Sequence, residues 1–286
     1  MIDLLLEPFG YQYMVRAIWV GALVGAVCAF LSCYLILKGW SLMGDALSHS
    51  VVPGVAIAYL AGLPYALGAF TSGVIAALGI AAVRRITALR EDAIIGIVFT
   101  SLFAIGLLIA SIRPMAVNLQ SIIMGNILAI PDEDIVQVVA IAGVALVVLA
   151  FRWRDLMLAF FDEAQARAVG LDPWRLRVLF FVLLSACTVA ALQTVGVILV
   201  IALVVTPGAT AYLLTDRFGV MIAIATLIGA FSSAIGAYAS YFLDGATGGL
   251  IVLMQTVIFF LAYVLAPKHG VLAARRASRM PEKESA

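Results

Sequence analysis

Residues 14–37 read MVRAIWVGALVGAVCAFLSCYLIL, and no charged side chain lies between Arg16 and Lys38. About 20 mostly apolar residues suffice for a helix to cross the hydrocarbon core of a bilayer, so the stretch predicts a membrane span. The pattern recurs along the chain. Further apolar runs, bounded by charges and by Gly or Pro, lie near 42–62, 64–83, 93–112, 135–151, 176–193, 195–214, 219–242 and 247–266. Together they predict about nine spans, in a range of about eight to ten.

Composition agrees with that reading. Hydrophobic residues make up 65% of the 286, charged residues 12%, and the mean hydropathy is +1.16. Soluble domains carry roughly a quarter charged residues, and so few charges could not cover a soluble surface of this size. The fold class is an all-α polytopic membrane protein. It reads as a single transmembrane domain over residues 1–270, with a short polar tail at 271–286. The net charge of +1 is spread over short loops, which argues against a nucleic-acid partner and leaves the lipid bilayer as the first one. Cys28, Cys33 and Cys187 all lie in apolar runs without CxxC spacing, as small packing residues do. The start, MIDLLLE, has neither a basic region nor a small-residue cleavage site, so no cleaved signal peptide is expected.

Basic residues orient the spans. With the loops holding Lys38, Arg84, Arg167 and Arg217 and the C-terminal tail in the cytoplasm, 15 of the 17 Lys and Arg lie inside, all but Arg16 and Arg113. The C-terminus is then inside and, with nine spans, the N-terminus outside. Two connections are long. The outer one, SIRPMAVNLQSIIMGNILAIPDED at 111–134, is too apolar for a free loop and predicts a re-entrant or surface-lying segment. The inner one, residues 151–177, holds DEAQARAVGLDP at 162–173. Asp162 can cap a short helix there, alanines 164, 166 and 168 favour it, Gly170 can end it in a left-handed conformation, and Pro173 blocks continuation. Its small side chains would let another protein approach the backbone closely. An ordinary amphipathic connector on the membrane surface explains it equally well.

The acids narrow the search for a site. Of 16, all but Asp45 fall in termini, loops or span ends. A carboxylate at mid-membrane costs about 2.5–3.5 kcal/mol on insertion scales and usually faces a cavity. His49 follows one helical turn later, so the two side chains share a face and could share one ion. Carboxylate and imidazole together suit manganese, iron or zinc, and two such helices on a dimer axis would supply four ligands. Alternatively, Asp45 caps its helix and His49 bonds a neighbouring one. Pro53-Gly54 and Pro207-Gly208 read either as ordinary kinks or as hinges. Gly21/Gly25, Gly229/Ser233/Ala237 and Ser232/Gly236/Ser240 predict close helix packing. Met43, Met124 and Met254 read as packing residues.

The small-residue helix ending at Gly170 resembles the EAA-type coupling helix of ABC importer permeases. LKGWSLMGDALSHSVVPGVAIAYLAG at 37–62, LQTVGVILVIALVVTPGATAYLLT at 192–215, and LDGATGGLIVL and LAPKHG within 243–270 are similar to the matching stretches of the metal-ion ABC permeases for manganese, zinc and iron. The resemblance runs over roughly residues 13–270, and its three motifs occur in the family's order. It implies a type II ABC importer-like permease with about nine helices, in a bacterial inner membrane. It further implies cytoplasmic ABC ATPase subunits, an extracytoplasmic metal-binding protein, and a second permease subunit, identical or paralogous. Asp45 and His49 would bind or gate the passing metal, while Glu163, Ala164, Ala168 and Gly170 would dock on the ATPase. Apart from the resemblance, Pro53, Gly54, Pro207 and Gly208 stay candidate hinges for alternating access beside the plainer reading as kinks. The tail APKHG points to the manganese/iron branch, so Mn2+ is the expected cargo, with Zn2+ and Fe2+ as alternatives and no permanent cofactor.

No GxxxxGK[ST] phosphate-binding loop occurs, so the chain is read as a transport subunit and not an enzyme, with ATP hydrolysis in a partner. Two rivals belong to other classes. A gradient-driven transporter or channel would have to couple through intramembrane charges, and one Asp with one His is a thin set for that. An intramembrane metalloenzyme needs three protein ligands and a base, and no HExxH is present.

Overall fold

Each predicted apolar run becomes a helix because a backbone in hydrocarbon has only its own carbonyls to bond. The computed structural model describes residues 6–112 and 132–266. After a 3-10 turn at Glu7–Gly10 come α1 (Gln12–Lys38), α2 (Met43–Ala61), α3 (Tyr65–Ile86), α4 (Glu91–Ile112), α5 (Asp132–Phe161), the short α6 (Glu163–Ala168), α7 (Pro173–Val195), α8 (Val197–Leu214), α9 (Phe218–Leu243) and α10 (Thr247–Leu265). Among the described residues the long helices number nine, one on each expected run. Among the described residues seven are long and apolar enough to cross a membrane on their own, and α8 is apolar over Leu199–Leu214 as well. α2 and α8 each carry an internal proline, and α2 spends its first turns on Gly, Asp, Ser and His. The expected re-entrant segment lies almost wholly outside the described residues, as does the 271–286 tail.

The bundle is built around α1 and α7, whose apolar windows are 78% and 72% buried, while α4 and α10 stay at its edge with 17%. Small residues make the closest crossings. A methyl on Gly25 of α1 would overlap the Gly229 carbonyl and Ser233 hydroxyl of α9, as the spacing predicted. The neighbouring stripe of α9 faces α10: Gly236 lies against Ile251, Gln255 Nε2 donates to Ser232 Oγ at 3.0 Å, and Thr247 Oγ1 donates to Ser240 Oγ at 2.9 Å.

One boundary differs from expectation. The inner connection was expected to begin at 151, but α5 continues unbroken to Phe161. Its added turns are amphipathic: Leu156, Ala159 and Phe160 are buried, and Phe160 packs on Tyr34, Trp40 and Phe180. At about 1.5 Å per residue the helix is about 45 Å long, so its last turns extend past a core of about 30 Å. The ends of α1 and α3, the start of α4, α6 and the start of α7 meet on one side of the bundle, as the charge rule placed them.

Candidate functional site

Gly39 ends α1 in a left-handed conformation (φ 70°), and the chain turns back through Trp40, whose N–H donates to Leu35 O at 2.8 Å. This turn sets the start of α2. Asp45 lies in the first turn of α2 and not between two long apolar flanks, so its carboxylate meets the positive end of the helix dipole and its burial costs less than at mid-membrane. The N-cap position itself is taken by Leu42. His49 Nε2 lies 3.2 Å from Asp45 Oδ1, with 35% and 32% of the two side chains exposed. Two ligands bound at about 2.1 Å on one ion, at angles between tetrahedral and octahedral, would sit roughly 3.0–3.5 Å apart. The 3.2 Å separation falls within that range. Among the described residues no third His, Cys, Asp or Glu joins them.

The neighbours that hold His49 could not be read from the sequence. Phe103 meets the imidazole edge-on at 5.3 Å and Phe99 stacks at 6.1 Å, one turn apart on α4. Their four-residue spacing was visible, but not which helix they would face. Above His49, Pro53 removes the donor that its carbonyl would otherwise receive. Gly54 packs directly on Gly68 of α3, Gly106 of α4 lies against the Pro53 nitrogen, and Ser72 donates to the Ser50 carbonyl. Pro207-Gly208 on α8 is held in a similar way. Ser32 of α1 accepts from Gly208 N–H at 2.8 Å and donates to Val205 O at 3.2 Å, occupying backbone groups next to the proline. Both Pro-Gly pairs thus sit in closed helix crossings.

The short helix expected after Asp162 forms largely as predicted. Asp162 accepts from Ala164 and Gln165 N–H at 2.9 Å, and Gly170 is left-handed (φ 86°), with Leu171 N–H returning to Ala166 O at 2.9 Å. Pro173 opens α7, capped by Asp172. Ala166 faces inward and is buried, whereas Ala164, Ala168 and Gly170 are exposed, with Val169 67% exposed beside them. Glu163 is engaged within the chain: its carboxylate takes Arg177 of α7 and lies 3.6 Å from Arg167. Ala164, Ala168, Val169 and Gly170 thus form the exposed face of this element, and Glu163 ties it to the bundle.

A profile described as the ABC 3 transport family matches residues 10–266. The chain is 65% identical over 283 residues to the chelated iron transport system membrane protein YfeC of Yersinia pestis, covering 99% of this chain and 96% of that one. It is 48% identical over 286 residues to the manganese transport system membrane protein MntB of Synechocystis sp., covering 98% and 92%. Among solved structures, PsaBC from Streptococcus pneumoniae in complex with Fab superposes with a TM-score of 0.84 at 33% identity, covering 96% of this chain and all of that one. An inward-facing putative metal-chelate type ABC transporter shares the fold, with a TM-score of 0.58 at 20% identity over 85% and 84% of the chains.

Proposed function

This chain belongs to the ABC 3 transport family, a multi-pass permease of metal ABC transporters in the bacterial inner membrane, and from that premise we propose that it imports divalent manganese or iron through a gate formed by Asp45 and His49. The observation that carries the proposal is the 3.2 Å carboxylate–imidazole pair at the start of α2. Each side chain is about one-third exposed, on a helix otherwise packed by glycine and serine. A second permease subunit that brings its own pair to this face would complete a four-ligand site of mixed oxygen and nitrogen.

The names of the relatives support manganese and iron: chelated iron for the protein at 65% identity, manganese for that at 48%. Oxygen and nitrogen ligands alone bind zinc more tightly than manganese. Selectivity would then rest largely with the extracytoplasmic binding protein, and the gate need only hold the ion briefly. ATP hydrolysis in cytoplasmic subunits docked on α6 would supply the driving force.

The test is uptake of radiolabelled manganese and ferrous iron into proteoliposomes holding the permease, its ATPase and the loaded binding protein. Uptake should require ATP and be competed by the other of the two metals. Transport by the permease alone, following an ion gradient, would replace this reading with the secondary-transporter one.

A further inference from the structure

We infer that Trp40 and Glu91 form a latch that transmits movement of the docking helix α6 to the gate helix α2; the inference rests on the import reading above. Trp40 belongs to two parts of the molecule at once. Its backbone carbonyl accepts from Met43 N–H at 3.0 Å, which anchors the first residue of α2 two positions before Asp45. Its side chain, 4% exposed, is held by other helices. The indole N–H donates to the Glu91 carboxylate at the start of α4. The ring stacks on Phe181 of α7 at 5.6 Å and meets Phe160 of α5 edge-on at 5.7 Å. Arg84, at the end of α3, lies 5.6 Å over the same ring and pairs with Glu91.

The route to α6 is short. Trp40, Met43, Arg84, Glu91 and Phe181 line one small cavity with Arg177. Arg177 is the residue that Glu163 holds from α6, and its side chain is only 12% exposed. A shift of α6 would drag Arg177 through a charge-assisted bond, and Arg177 shares walls with Trp40. Packed side chains and ion pairs of this kind have discrete arrangements and carry coupling between sites. A purely structural clasp would use the same contacts but would not link ATPase rate to metal delivery.

Two variants remove the latch from opposite ends. Trp40→Phe keeps the ring and loses the donor, while Glu91→Leu keeps Trp40 and loses the acceptor. Each is assembled with wild-type ATPase, and basal ATP hydrolysis is compared with hydrolysis stimulated by the metal-loaded binding protein. Both should assemble and keep basal hydrolysis, yet lose at least about fivefold of the stimulation, the low end of typical coupling energies. Glu91→Gln, which retains an acceptor oxygen, should fall between them and wild type. Wild-type stimulation in either Trp40→Phe or Glu91→Leu overturns the latch while leaving import untouched. A wild-type complex that shows no stimulation overturns the import reading and the latch with it.

Discussion

Gly54 shows how much a single residue constrains this permease. Its backbone lies against the Gly68 carbonyl, one position beyond the proline that frees the carbonyl of His49. A methyl there has no space and must push α3 away. Gly54→Ala should therefore destabilise the chain by about 1–3 kcal/mol, read as a lower melting temperature in detergent. Gly96→Ala is the control: an added methyl there meets nothing within 4 Å, and the melt should stay level or rise slightly. The two histidine-clasping phenylalanines make a related point about legibility. Asp45 and His49 stood out in the sequence because charge is scarce in the apolar runs. Phe99 and Phe103 did not, since an aromatic pair at helical spacing says nothing about which neighbour it will meet.

At the scale of the element, the six-residue helix α6 is defined almost wholly by local signals, and these were readable in advance. Asp162 at its start, alanines within it, Gly170 beyond it and Pro173 after it each act over a few residues. Gly170 is left-handed (φ 86°), so a β-branched replacement is strained wherever its side chain points. Gly170→Val should distort the exit from α6 and reduce ATPase co-purification and transport together, with the permease still inserted. Undiminished complex formation in a pull-down would argue against α6 as the docking element. What local signals could not give was the length of α5. Its continuation to Phe161 depends on Leu156, Ala159 and Phe160 finding a buried surface among α1 and α7, and that surface exists only in the folded bundle. The same holds for the Pro-Gly pairs. The sequence showed the breaks, while the crossing with Gly68 and the clasp by Ser32 depend on how helices distant in sequence pack.

For the whole molecule, the charge bias and the packing agree on which loops share a side. Lys38, Arg84, Glu91, Glu163 and Arg177 gather at one end of the bundle, the end assigned to the cytoplasm. The native cysteines are all buried, so an introduced thiol can be labelled against a low background. Leu89→Cys, between α3 and α4, should react in inverted vesicles, and Leu63→Cys, between α2 and α3, in intact spheroplasts. The opposite pattern would invert the topology and remove α6 from the ATPase. The claim on which the rest depends is that metal passes between Asp45 and His49, and ATP-driven uptake of manganese and ferrous iron by Asp45→Ala and His49→Ala complexes tests it most directly. Both variants should assemble with the ATPase at wild-type levels and lose transport by about tenfold or more, as loss of a metal-site residue commonly does. Wild-type uptake by both assembled variants would contradict the account.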